Sequence, residues 1–174
     1  GVMYDEKHRY NVLSLLPESR ERFEQKGVRE RLLCRNCEQK LGKLERYASL
    51  VLHGGAPGMD GYRDGSIVYV KGINYTKFKL FQLSLLWRAG VAKGSYFERV
   101  RLGPHEEPLR AMLAAEDPGP YDLYPCIIWG VTLEPNKIAE LMVQPCRDRV
   151  WGYTTYHFVL PGLKLVYFVS RQRL

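Results

Sequence analysis

From Cys37 onward, apolar residues recur at positions 37, 41, 44, 48 and 51. The alternating steps of four and three predict a helix with a single buried stripe. Its opposite side carries Glu38, Lys40, Lys43, Glu45 and Arg46, and Gly54-Gly55 predicts its end. Residues 54–66, rich in Gly and Asp, read as a loop, and Ile67 to Val70 as a short strand. Tyr75 to Ala92 has a different texture. Phe78, Leu80, Phe81, Leu83, Leu85, Leu86 and Trp87 cover most of a helical circumference, which predicts a central core helix. Pro104-His105-Glu106-Glu107 opens a further helix to about Ala115, with proline and acids in its first turn. Upstream, residues 1–17 are polar and irregular, and a short charged helix is expected from Ser14 or Glu18 through Lys26.

After Pro120 the chain becomes rich in β-branched and aromatic residues, and four strands are expected: 124–133, 138–144, 151–160 and 164–170. Pro161-Gly162 reads as the turn between the last two. The predicted class is therefore α+β, with N-terminal helices, including one that follows a Cys-x-x-Cys turn and one buried core helix, followed by a C-terminal antiparallel sheet. The expected organisation is a mainly helical part over 1–117 and a β part over 118–174, packed as one unit. Tyr153, Tyr156, Phe158, Tyr167 and Phe168 alternate as sheet core residues do, which outweighs a base-stacking role for them.

The chain of 174 residues is long enough to bury a core without a metal or disulfide. No apolar run reaches the roughly 18 residues needed to cross a bilayer, since Gln82, Ser84 and Arg88 interrupt the longest candidate. No secretory signal is apparent, so a cytoplasmic location and no membrane partner are expected. Cysteines at 34, 37, 126 and 146 are too sparse for a disulfide scaffold, and read as thiols or metal ligands in a reducing compartment. The formal net charge of +7 is segregated, with +5 over residues 54–103 and −5 over 104–145. That balance permits an electrostatic footprint for DNA.

Cys34-Arg35-Asn36-Cys37 is the one chemically specific motif. Two thiols at a turn into a helix suit a structural zinc ion, because the turn aims both sulfurs at one point and the helix N-terminus favours their negative charge. The same dipole lowers a thiol pKa in a redox site; two ordinary thiols are the second reading after zinc, and redox is the third. Zinc takes four ligands, so Cys34 and Cys37 are half a site. Cys126 and Cys146 complete it only if the sheet packs against the knuckle, with His53 and His8 as further candidates. Arg35, Lys40, Lys43 and Arg46 line the polar side of the same helix and could contact phosphates, although Glu38 and Glu45 dilute them into a mixed-charge face. No Gly-rich phosphate loop and no nucleophile elbow occur.

Leu32-Leu33-Cys34-Arg35-Asn36-Cys37-Glu38 with Leu44-Glu45-Arg46-Tyr47 resembles the second zinc knuckle of bacterial HNH-endonuclease-like proteins. Phe81 to Ala89 and Leu102 to Glu107 are similar to segments that follow in those proteins. The resemblance implies a treble-clef core with structural zinc, DNA as partner, and metal-dependent endonuclease descent. It also implies an upstream Cys-x-x-Cys and a histidine element, neither of which this sequence contains, and Glu38 stands where many such proteins have Asn. The nuclease chemistry is then incomplete in this chain, and a non-catalytic protein-interaction module is the alternative.

Overall fold

The computed structural model describes residues 10–13, 22–24, 30–131 and 141–170. Its elements are β1 (Tyr10–Leu13), β2 (Arg22–Glu24), α1 (Arg35–Leu52), β3 (Asp60–Asp64), β4 (Ile67–Lys71), α2 (Tyr75–Val91), α3 (Glu106–Ala115), β5 (Cys126–Gly130), β6 (Leu141–Val150), β7 (Tyr153–Leu160) and β8 (Leu163–Val169). The class is α+β, as the order of texture along the chain predicts.

The main sheet has the strand order β2-β1-β6-β7-β8-β5. β5 to β8 pair antiparallel, and Pro161-Gly162 makes the β7–β8 turn between Leu160 and Leu163. Two expectations at the N-terminal end need correction. The irregular segment contains β1, which pairs parallel with β6. The short charged helix expected through Lys26 is contradicted at Arg22–Glu24, which is β2, antiparallel to β1; the rest of that span lies outside the described residues. Charge periodicity alone suggested the helix, whereas pairing across the sheet edge decides the backbone.

The core forms where α2 and α3 lie against the sheet. Leu83, Leu86 and Ala89 of α2 and Leu109 of α3 pack with Tyr156, Phe158, Leu165, Tyr167 and Val169. Every residue from Leu165 to Val169 is buried, so this stretch of β8 is covered on both faces, and Phe168 stacks with Trp151 on the side away from Tyr167. Gly90 brings α2 close to Leu102. The N-cap of α2 is Asn74, whose Oδ1 accepts from the Lys77 N–H at 2.9 Å.

Part of the predicted 54–66 loop is instead β3, which pairs with β4 through a two-residue turn. Gly65 takes a φ of 56°, the positive value a type II′ turn requires at its first central position. All ten residues of this hairpin are exposed, and Tyr62 stacks on Tyr69 with ring centroids 4.8 Å apart. Without a buried face, the hairpin lacked the alternation that marks a strand in sequence.

Candidate functional site

α1 forms as its periodicity dictates. Leu41 and Ala48 are buried, Leu44 and Val51 half-buried, and Cys37 is exposed although it begins the apolar stripe. The helix ends in a Schellman arrangement: Gly55 N–H donates to Leu50 O at 2.8 Å, Gly54 N–H to Val51 O at 3.2 Å, and Gly54 takes a φ of 74°.

Three contacts seat α1 on α2. Arg88 Nη2 lies 2.7 Å from Glu45 Oε1. The Tyr47 hydroxyl accepts from the Asn74 backbone N–H at 2.6 Å. Lys77 Nζ lies 5.5 Å from the Tyr47 ring centroid. The irregular segment leading into the knuckle is anchored separately, by Glu30, whose carboxylate accepts from the backbone N–H groups of Lys93 at 2.9 Å and Gly94 at 3.3 Å. The entry to the helix and its middle are therefore both fixed by hydrogen bonds to polar groups of α2 or its C-terminal extension.

Cys34 is the N-cap residue, extended at φ −74° and ψ 161°. Its sulfur is set against the first turn. The backbone N–H of Cys37 donates to it and the Cys37 thiol adds a second hydrogen bond, and together they hold Cys34 below the ordinary thiol pKa. Cys37 moves the other way, because its thiol is the donor to Cys34 and because charge on Cys34 opposes a second charge beside it. Both thiols are exposed. The arrangement can present one thiolate backed by a thiol, or two thiolates to one cation.

The knuckle fits half of a tetrahedral zinc site. Among the described residues no group of three or more Cys, His, Asp or Glu converges on one point. Cys126 and Cys146 are in β5 and β6 of the sheet, and burial pushes the Cys126 thiol up to about 12, far from the thiolate a metal needs. His53 caps the opposite end of α1, with Nδ1 2.7 Å from Ser49 O. At 1.5 Å of rise per residue, that end is about 27 Å from the knuckle. His8 lies outside the described residues.

All four basic residues expected to face a nucleic acid, Arg35, Lys40, Lys43 and Arg46, are exposed. At 3.6 residues per turn, Arg35, Lys43 and Arg46 fall within roughly 80° of arc, opposite the Leu41–Ala48 stripe. Lys40 lies to one side and is paired with Glu116 at the C-cap of α3, Nζ to Oε1 2.8 Å. Glu38 and Glu45, which dilute the charge in sequence, project toward a different neighbour. Both line a cleft of about 530 Å³ between α1, α2 and the β6–β7 ladder, together with Glu30, Leu85, Arg88 and Phe158. The acids therefore separate from the basic face, an arrangement that residue spacing alone did not resolve. No described helix is long and apolar enough to cross a membrane. No protein-family model, curated protein or solved structure matches the chain.

Proposed function

We propose that this chain is a nucleic-acid-associated protein of HNH-like descent. In this reading Cys34 and Cys37 hold half of a structural zinc site, and α1 lays Arg35, Lys43 and Arg46 along a phosphate backbone. The observation that carries the reading is the segregation on α1: its basic arc faces solvent opposite the buried stripe, while Glu38 and Glu45 turn into the cleft. Three guanidinium and ammonium groups on one face supply sequence-independent phosphate contacts. Zinc would fix the turn that aims this face, through the two thiolates, and its remaining ligands would come from outside the described residues. No described residue is assigned a hydrolytic step.

Duplex-DNA affinity measured from about 50 to 200 mM salt tests the interface. The reading expects a steep, linear decline of log affinity with log salt that flattens when Arg35, Lys43 and Arg46 are neutralised together. An unchanged slope in that triple variant removes the basis for the proposal. Metal analysis of the protein purified without chelator tests the knuckle, with about one zinc per chain expected and lost on Cys34→Ser.

A second reading, dithiol redox chemistry, is favoured by one observation: the opposite displacement of the two thiol pKa values. Cys34 thiolate would attack a disulfide oxidant, expelling a thiolate, and Cys37 would then displace Cys34's new partner to close an intramolecular disulfide. A Cys37→Ser variant that accumulates a mixed disulfide with oxidised glutathione would support it.

A further inference from the structure

α2 is apolar around most of its circumference, yet it buries Lys79 to 5% exposure. Buried ammonium groups are ordinarily paired with a carboxylate, because desolvation of an isolated charge is expensive. Lys79 is not so paired. Its Nζ donates to the carbonyl of Tyr124 at 2.5 Å, the one hydrogen-bond acceptor it has among the described residues. An ammonium has three N–H donors, so two remain to be satisfied. Tyr124 itself takes a φ of 49°, a left-handed value uncommon for a residue with a side chain, while its hydroxyl lies 3.1 Å from His105 Nδ1.

Beside Lys79 lies a cavity of about 340 Å³ between α2 and the segment that leads into β5. Tyr75, Phe78, Lys79 and Gln82 share one face of α2 at helical spacing and form one wall; Tyr121 and Cys126 contribute to the other. The volume lies at the lower end of those of small-molecule sites, which are mostly apolar with a few placed polar groups. Asp117 and Asp122 push the Tyr75 phenol up, and no described carboxylate pairs with Lys79. Among the described residues that line the cavity, Lys79 is the one cation and there is no carboxylate, the amide of Gln82 is a second polar group, and the remaining lining is aromatic or apolar.

From this geometry we infer that the cavity is a binding site for a small organic anion, a carboxylate on an apolar or aromatic body, with the carboxylate on Lys79 Nζ and the body against Tyr75, Phe78 and Tyr121. The site is separate from the knuckle and does not depend on the nucleic-acid reading. A carboxylate accepts the donors that Tyr124 leaves unsatisfied, and displacing water from an aromatic-lined cavity favours the body.

Calorimetric titration of the full chain with 3-phenylpropanoate, and with its neutral amide 3-phenylpropanamide, tests the assignment. Saturable one-to-one binding of the acid is expected, with the amide weaker by at least about tenfold. Lys79→Met should lose a comparable factor toward the acid. Tyr121→Ala, at a rim residue that is 80% exposed, should weaken the acid a few-fold and keeps the test available if the Lys79 variant fails to fold. Equal affinity for acid and amide, no saturable binding up to about 10 mM, or unchanged affinity in either variant would overturn the inference. So would borohydride trapping of an aldehyde probe on Lys79 without affinity for the acid, which would assign the cavity to carbonyl chemistry.

Discussion

Lys40 Nζ on α1 and Glu116 Oε1 at the end of α3 are 2.8 Å apart, an ion pair that crosses from the knuckle helix to the segment before the sheet. Both side chains are more than half exposed, so the pair adds little to stability. Its effect is on the supply of positive charge, because it removes one of the four cations of α1 from the set free to meet a phosphate. Neutralising Arg35, Lys43 or Arg46 singly to Gln should each lower the salt slope of DNA binding by about one, and Lys40→Gln by less. Glu116→Gln should strengthen binding by releasing Lys40. Fluorescence anisotropy on one labelled duplex at several salt concentrations ranks the five variants.

Cys34, Cys37 and Cys126 should be distinguishable by alkylation under native conditions, read peptide by peptide by mass spectrometry. Cys34 reacts first, since the hydrogen bonds from Cys37 favour its thiolate. Cys37 follows more slowly, and Cys126 more slowly still, because burial pushes its thiol up to about 12. Because thiolate increases with pH, the rate at Cys34 should rise with a midpoint below that of an ordinary thiol. Cys37→Ala should move that midpoint only part of the way up, because the backbone N–H at position 37 still donates.

Stability should vary with pH in a way set by Lys79 and Cys126. Desolvation lowers Lys79 from 10.5 to about 8. Below pH 8 the amine is protonated in both folded and unfolded chains, and the burial penalty is fully present. Above it the unfolded chain binds more protons, so stability rises with pH. Desolvation raises Cys126 from 9.0 to about 12, and above pH 9 the unfolded thiol ionises while the folded one does not, which lowers stability. The gain is therefore confined to pH 8–9 and amounts to about 1 kcal/mol, with a near-plateau beyond. Urea unfolding from pH 7 to 10.5 tests this. Lys79→Met should abolish the rise, and Cys126→Ala should extend it toward pH 10.

Gly90→Ala probes the closest approach between α2 and the segment after it. A β-carbon on Gly90 would lie 2.2 Å from Leu102 Cδ1 and 2.5 Å from its Cγ, and Leu102 is buried. Overpacking of this kind costs about 1–3 kcal/mol, offset by about 1 kcal/mol of helix propensity. A net loss of up to about 2 kcal/mol is expected by denaturant unfolding. Combining it with Leu102→Ala should cost less than the two single losses added together, because the clash disappears with the leucine.

Patterned burial made most of the fold legible. The 4-3 spacing of Leu41, Leu44, Ala48 and Val51 marks one buried stripe, and α1 begins and ends within a few residues of where that stripe and Gly54-Gly55 place it. The run from Lys164 to Ser170 reads as a strand because β-branched and aromatic residues accumulate after a turn signal, and β8 covers Leu163–Val169. β1 and β2 escaped because their identity lies in a partner far along the chain, and β3 because an exposed hairpin has no apolar face to announce it. At the knuckle, the spacing of the cysteines foretold a turn into a helix and two neighbouring sulfurs. It carried nothing about the opposed pKa displacements, which come from the direction of one N–H and one S–H. Lys79 was passed over because a single lysine in an apolar helix looks in sequence like a residue that reaches solvent. The signal was its position, i+4 from Tyr75 and i+1 from Phe78, inside the apolar run.

The parallel pairing of β1 with β6 joins Asn11 to Leu141, about 130 positions apart. The β1–β2 ladder is local in sequence, but its seat on the sheet does not exist until β6 has been made. At synthesis rates of about 5–20 residues per second, that interval is about 7–26 s. Throughout it β1 presents an unpaired edge to the surroundings, the kind of edge that recruits foreign strands. This long-range closure should also make the final docking of β1 on β6 a late, slow event in refolding. A nascent chain halted before Leu141 is thus the form of this protein most in need of a chaperone.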